Sequence, residues 1–208
     1  MARYTGPVCR FCRRHGEKLL LKGERCLIHC SLDRRGNTPP GGRFVRRRRV
    51  SERGLQLREK QAARRIYGIL EGQFRRYVAE AQRRPGIAGE NLLQLLERRL
   101  DNVVYRLGFG ESRAQARQIV RHGHILLNGR KTDIPSALAK LGDVITWKHP
   151  SPDDGLFAMA TDLAKDRYVP PWLALDPEHM VGRVLALPSR GDIDTRIREQ
   201  VIIEYYSR

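Results

Sequence analysis

The stretch Arg99-Leu-Asp-Asn-Val-Val-Tyr-Arg-Leu-Gly-Phe-Gly-Glu-Ser-Arg-Ala-Gln-Ala-Arg-Gln-Ile-Val-Arg-His-Gly-His-Ile-Leu-Leu-Asn-Gly-Arg130 divides into elements by itself. Leu92, Leu93, Leu95, Leu96, Leu100, Val103, Val104 and Leu107 recur at spacings of three and four, which predicts one buried helical face. Gly108 and Gly110 stop that helix, because glycine tolerates the left-handed conformation of a C-terminal cap. Ser112-Arg-Ala-Gln115 has the form of a capping box, in which serine and glutamine each satisfy an orphan N–H. The helix that follows carries Arg113, Arg117 and Arg121 at steps of four, with Ala116, Ile119 and Val120 turned elsewhere. Gly123 ends it, His124-Ile-Leu-Leu reads as a strand, and Asn128-Gly129 predicts a hairpin. Three arginines near a helix N-terminus make a multi-donor anion site that the helix dipole strengthens. The plainer alternative is a solvated charged face.

The bulk numbers point the same way. A chain of 208 residues, 40% hydrophobic, is long enough for one large or two small domains. Its formal charge of +17 and pI near 10.6 call for a polyanionic partner. That charge is uneven: +11 over residues 1–50, +4 over 51–90, +5 over 91–150 and −3 over 151–208. The partner is therefore expected against the N-terminal three quarters. Arginine outnumbers lysine 33 to 7. The guanidinium fork suits phosphate and base stacking in structured RNA, while a GC-rich genome would give the same bias. No apolar run approaches the roughly 20 residues of a membrane span, and no signal-peptide core stands at the N-terminus. A cytoplasmic protein without a membrane partner is expected.

In a reducing compartment the cysteines read as metal ligands rather than disulfides. Cys9-Arg-Phe-Cys12 and Cys26-Leu-Ile-His-Cys30 are two close pairs joined by a short loop, the spacing of a closed four-thiolate zinc site. The expectation is one structural Zn2+ on Cys9, Cys12, Cys26 and Cys30, whose binding orders a segment too polar to fold by burial. Four free thiols in a loose arm, an iron–sulfur cluster, or His15 or His29 in place of a cysteine remain the alternatives. Past the break Asn37-Thr-Pro-Pro-Gly-Gly42, the run Arg43-Phe-Val-Arg46-Arg47-Arg48-Arg49 is a phosphate strap or a solubilising linker. Ser51 to about Arg84 reads as one long helix capped by Ser51. Its doublets Arg64-Arg65 and Arg75-Arg76 are RNA candidates, whereas other basic residues pair with Glu59 and Glu71. Leu141–Trp147, Val181–Leu187 and Val201–Tyr206 read as strands, the last holding Tyr205 and Tyr206 as core, and residues near 157–164 as a short helix.

Three segments of that opening stretch resemble the ribosomal protein S-four family and the small RNA-binding module named after it. They are Arg-Leu-Asp-Asn-Val-Val-Tyr-Arg-Leu-Gly-Phe, Ser-Arg-x-x-Ala-Arg-Gln and Gly-His-Ile-x-x-Asn-Gly-Arg. The resemblance extends to Leu57-Arg-Glu-Lys-Gln-Ala-Ala-Arg-Arg-Ile-Tyr-Gly68, to Gln73-Phe-Arg-Arg76 and to the ending Glu199–Arg208, and so spans nearly the whole chain. It departs at Gly42-Arg43, where relatives carry Gln-His, and in the second cysteine pair, which zinc-bearing relatives space one residue wider. The family's zinc site is present in some members and absent in others. The resemblance implies a structural, non-catalytic constituent of the small ribosomal subunit. Such a protein binds the 5′ domain of 16S ribosomal RNA early in assembly, sits near the messenger-RNA entry and contacts neighbouring small-subunit proteins. Messenger RNA, including its own, is a further implied partner. In the module the expected RNA contacts are Arg99, Asn102, Arg106, Ser112, Arg113, Arg117, Gln118, Arg121, Asn128 and Lys131; a locally bonded polar residue is the plainer reading of Asn102.

The expected class is α+β: an N-terminal four-cysteine zinc-binding arm (1–45), a mostly α-helical domain (46–91) completed by part of 155–208, a small α/β S-four-type module (92–150) and a C-terminal segment (151–208) packing back on the rest. No P-loop, dinucleotide glycine motif, His-Glu-x-x-His or nucleophile–base grouping occurs, so neither a catalytic site nor a small-molecule substrate is expected. Asp153-Asp154 and Asp192/Asp194 read as loop acids. The rival class is an RNA-modifying enzyme or ribosome-rescue factor carrying the same module. Such an enzyme needs a further catalytic domain of well over a hundred residues, and only about sixty follow the module.

Overall fold

The computed structural model describes residues 3–36, 38–41, 50–149, 154–193 and 196–207. The chain divides into two compact units, residues 1–92 with 195–208, and residues 93–194.

The first unit is helical. It comprises α1 (Cys9–His15), α2 (Arg25–Ile28), α3 (Ser31–Arg35), α4 (Glu52–Ile66), α5 (Glu71–Arg83), the start of α6 (Ala88–Glu97) and α10 (Glu199–Tyr206). Ser51 caps α4 as its sequence predicts, accepting from the Gly54 N–H at 3.2 Å. The single helix expected from Ser51 to Arg84 is instead two. Gly68, at φ +64°, takes the left-handed conformation that ends α4, and buried Tyr67 and Ile69 anchor the corner before α5 begins. Apolar periodicity survives such a break, so it marks the buried residues without marking the corner. Val201–Tyr206, expected as a strand, is the helix α10 packed along α4. Its β-branched and aromatic residues favour extended chain, but Ile202 is fully buried on the helical face, and tertiary packing overrides propensity. A small cluster of Cys12, Leu19 and Ala62, flanked by Phe11, Leu21 and Ile66, closes the N-terminal arm.

The second unit sets helices on an antiparallel sheet ordered β2-β1-β3-β5-β4. Its strands are β1 (Ile125–Leu127), β2 (Arg130–Lys131), β3 (Val144–Trp147), β4 (Leu173–Asp176) and β5 (Val181–Val184), shorter at its end than the expected Val181–Leu187. Asn128 and Gly129, at φ 51° and 75°, form the tight turn between β1 and β2 that their sequence predicts. The remaining helices are α7 (Leu100–Arg106), α8 (Arg113–His122) and α9 (Gly155–Asp166), the last capped by Asp154. The apolar run from Leu92 to Leu107, expected as one helix, is split into α6 and α7 by extended backbone at Arg99. The segment after the hairpin docks into that break: the Leu100 N–H donates to the Ala137 carbonyl at 2.8 Å, and Ala139 N–H to the Arg98 carbonyl at 2.8 Å. Ser112 accepts from the Gln115 N–H at 3.3 Å, but Gln115 reaches back to the Glu111 N–H at 2.8 Å instead of that of Ser112. The capping box is thus one residue wider than its sequence form.

One apolar core lies between helices and sheet. Leu100, Val103, Val104, Leu107 and Phe109 meet Ile119, Val120, Ile125, Ile145, Trp147, Trp172 and Met180 in it. A side chain at Gly182 would collide with Leu107, so this glycine lets α7 lie directly on β5. Phe109 is fully buried and meets Trp147 edge-on at 6.1 Å between centroids. Replacing Phe109 by alanine should cost about 3–5 kcal/mol of stability. Urea unfolding checks this, and a loss under about 1 kcal/mol would show that the core closes around the gap.

Candidate RNA interface

Two buried carboxylates organise the arginines of the second unit. Glu97, at the end of α6, receives Arg106 Nε and Nη2 at 2.9 and 3.0 Å and Asn102 Nδ2 at 2.7 Å. Asn102 in turn accepts from Arg113 Nε at 2.7 Å, and Arg113 Nη2 lies 3.9 Å from Glu97. Asp101, in the first turn of α7, receives Arg99 Nε and Nη2 at 3.0 and 2.7 Å and Arg117 Nη1 at 2.7 Å. Paired guanidinium–carboxylate bonds of this kind fix orientation as well as supply energy.

These contacts change the standing of several expected RNA residues. Arg99, Asn102, Arg106 and Arg117 are buried, at 0, 2, 8 and 6% exposure. In this structure they brace α6, α7 and α8 against one another and present no free surface to a ligand. The residues missed were their anchors, Glu97 and Asp101. Their local signal was weak, since Glu97-Arg98-Arg99-Leu100-Asp101-Asn102 is mostly polar and reads as an exposed turn between apolar segments. Gln118, Arg121 and Lys131 are exposed on α8 and the hairpin. Ser112 is engaged as a cap. Asn128 is tied to the sheet, donating to Asp143 at 2.9 Å and accepting from the Val144 N–H at 2.8 Å.

In the first unit, Arg75 and Arg76 are exposed on α5. Arg64 pairs with Glu71 at 3.1 Å, and Arg65 lies over the Phe11 ring at 4.3 Å. Burial lowers the affinity of the Arg65 guanidinium for its proton, and Arg64 and Arg14 nearby add to the effect. Arg53, Lys60, Glu71, Arg75, Tyr205 and Tyr206 line a cavity of about 300 Å³. There Lys60 pairs with Glu71 at 2.8 Å and lies 4.7 Å from the Tyr205 centroid, while the Tyr206 hydroxyl donates to Glu71 at 2.7 Å. Burial alone would raise the Glu71 carboxyl, but Lys60, Tyr206 and Arg64 together hold it below its ordinary value. Burial and Glu71 push the Tyr206 hydroxyl up. Arg46, Arg47, Arg48 and Arg49 lie outside the described residues, as do Asp153 and Asp194.

Cys9, Cys12, Cys26 and Cys30 are free thiols that line one small cavity with Lys22, Arg25 and His29. Cys26 accepts from the Lys22 N–H at 3.3 Å and Cys30 from the Leu32 N–H at 3.4 Å. Burial pushes the Cys12 thiol up, and the other three sulfurs add to that against a backbone hydrogen bond at Leu19. His15 is turned to Glu17, 3.9 Å away. Among the described residues no group of three or more histidine, cysteine, aspartate or glutamate side chains is arranged to hold a metal ion. The four thiols are neighbours around a cavity and do not form a closed cage.

Comparison with known proteins accounts for both units. Residues 3–97 match the family described as ribosomal protein S4/S9 N-terminal domain, and residues 98–145 match the S4 domain. The chain is 58% identical over 209 residues to small ribosomal subunit protein uS4 of Heliobacterium modesticaldum, with both chains covered completely. It is 57% identical to the protein of that name from Pelotomaculum thermopropionicum and 52% to that from Dehalococcoides mccartyi, again over the full length of each.

Removing one carboxylate of the buried network leaves guanidinium groups without compensation. Asp101→Ala should therefore destabilise the protein by about 3–5 kcal/mol, while Arg121→Ala at an exposed position should change stability by no more than about 0.5 kcal/mol. Denaturant unfolding of both variants separates bracing from surface arginines; similar small losses would sink the division.

Proposed function

This chain belongs to the uS4 family of small ribosomal subunit proteins, and from that membership we propose how it works on ribosomal RNA. It is a structural constituent of the small subunit in the cytoplasm, not an enzyme, and binds 16S ribosomal RNA together with neighbouring small-subunit proteins. The observation that carries this is the full-length identity of 58% to a protein of that family. The segment following the module adds to it. Residues 173–184 supply β4 and β5 to the module's own sheet, and α10 packs on α4.

In the proposed mechanism the protein recognises folded RNA chiefly through phosphates and shape. Gln118, Arg121 and Lys131 from the second unit, and Arg75 and Arg76 from the first, are exposed and meet the RNA directly. Arg99, Asn102, Arg106 and Arg117 act behind them by fixing α7 and α8, so that the surface cations are held in place before the RNA arrives. Arg46, Arg47, Arg48 and Arg49 extend the contact as a phosphate strap. The preferred target is a multi-helix junction of the 5′ domain, bound early so that it starts small-subunit assembly. Placement near the messenger-RNA entry would make the protein a contributor to decoding accuracy, with messenger RNA as a further partner.

The metal is a separate part of the proposal. One Zn2+ held by Cys9, Cys12, Cys26 and Cys30 would supply the folding energy of the N-terminal arm. Support comes from the donor set, four thiols around one cavity with two of them buried, and from the thinness of the apolar cluster that otherwise closes this arm.

Nuclease footprinting on the 5′ domain should show protection concentrated at one helix junction. Arg121→Ala and Lys131→Ala should each reduce the slope of log affinity against log salt by about 0.7–0.9. Diffuse protection, or tighter binding to transfer RNA, would overturn the ribosomal reading. Native mass of never-chelated protein should show one zinc per chain, lost in Cys12→Ser. A metal-free mass together with a specific footprint would remove the zinc and leave the RNA function standing.

A further inference from the structure

The tight turn at Asn128-Gly129 is held from outside its own hairpin. β2 is only Arg130 and Lys131, paired with Leu127 and Leu126 and lying at the edge of the sheet. So short a ladder fixes little by itself. Asn128, at φ 51°, is instead bonded to the start of β3. Its N–H donates to the Val144 carbonyl at 2.8 Å, its Oδ1 accepts from the Val144 N–H at 2.8 Å, and its Nδ2 donates to Asp143 Oδ1 at 2.9 Å. The second Asp143 oxygen accepts from the Lys140 N–H at 2.7 Å, and the Asp143 carbonyl accepts from the Val184 N–H on β5 at 3.0 Å. One carboxylate thus ties the turn to the body of the sheet with both of its oxygens engaged.

Beyond the turn, the Lys131 side chain runs across Gly123, the left-handed residue that ends α8. An added Cβ there would collide with Lys131 Cε and lie 3.1 Å from its Nζ, so the missing side chain gives the lysine its track. The ammonium lies at the carbonyl end of α8, whose partial negative charge attracts a cation without neutralising it. Lys131 is exposed, and among the described residues no carboxylate pairs with it.

A lysine loses much of its rotamer freedom when it binds, and one already laid on a track has lost part of it beforehand. An acid bonded to the turn that carries a phosphate-binding lysine also repels phosphates, so its place there calls for a gain that outweighs its charge.

We propose that Asp143 is a positioning residue for RNA binding. It meets no RNA itself. Through Asn128 it sets the direction in which β2 leaves the turn, and so places the Lys131 ammonium at the end of α8. Gly123 is the second positioning residue, while Lys131 touches the ligand. The inference rests on the reading that Lys131 meets 16S RNA, and deepens it with the residues that present it.

The test uses the full chain and the 5′ domain of 16S RNA, with thermal melting as a control for folding. Charge alone predicts that Asp143→Ala, which removes an acid, strengthens binding. The positioning role predicts the opposite, a loss of about three- to tenfold, with protection lost at the nucleotides that Lys131→Ala also exposes. In the double variant the Lys131 substitution should add little, because a misplaced lysine has already lost its contact. Asp143→Asn removes the same charge but keeps an oxygen that can accept from Asn128 or Lys140, so it should recover part of the affinity. It also reads the effect where Asp143→Ala melts too low to assay. Unchanged or tighter binding of Asp143→Ala, or single losses that simply add in the double variant, would overturn the positioning role and leave the Lys131 contact standing. A Lys131→Ala variant with wild-type slope and footprint would overturn the contact and the positioning role together, with the ribosomal function intact.

Discussion

The second unit depends on two carboxylates that lie where no water reaches them. Glu97 is fully buried and Asp101 nearly so, and between them they engage Arg99, Arg106, Asn102, Arg113 and Arg117. Burying charges is costly in itself, and their mutual attraction offsets that cost only when the geometry is tight and the remaining hydrogen-bonding atoms are satisfied. The consequence is selectivity of arrangement more than gain of stability. Apolar contacts are not directional, so leucine side chains alone would specify the arrangement of α6, α7 and α8 less sharply. A bidentate Arg106–Glu97 pair and a bidentate Arg99–Asp101 pair admit one register. The Arg99 pair also holds the extended residue at which the 135–139 segment docks, so one interaction fixes both a helix break and a loop.

What the sequence disclosed follows from the range of the forces involved. Local devices were legible: the Ser51 cap, the αL glycine after α8, the Asn128-Gly129 turn and a short helix near 157–164, which the structure extends to Gly155–Asp166, each depend on residues a few positions apart. The family resemblance was legible as well, because its motifs run through both halves. The errors lie where distant partners decide. Arg99, between two good helix-forming segments, is extended where the 135–139 segment docks, taking the Leu100 and Asp101 amides and the Arg98 carbonyl. The 199–206 segment has the composition of a strand, and α4 makes it a helix: Gln56 donates to Glu204 at 3.3 Å and Tyr206 reaches Glu71 on α5. Neither partner can be inferred from a short window of sequence.

The arginine stripe of α8 shows why a surface pattern misleads even when the helix is predicted correctly. A step of four advances an α-helix by about 40° beyond a full turn, so residues two such steps apart are turned by about 80° from one another. Arg113, Arg117 and Arg121 wind around the helix accordingly. Arg117 falls inside against Asp101, Arg113 lies at the boundary between Asn102 and Tyr105, and Arg121 alone of the three is exposed. One residue type thereby does three things in one helix. The inner arginine fixes the position of α8, the middle one couples that position to an aromatic ring, and the outer one meets the solvent. An excess of arginine in such a protein therefore does not measure the number of its phosphate contacts. Arginine is used inside as well as outside because its charge persists on burial and its planar fork can satisfy a carboxylate completely, which lysine's single ammonium group cannot do.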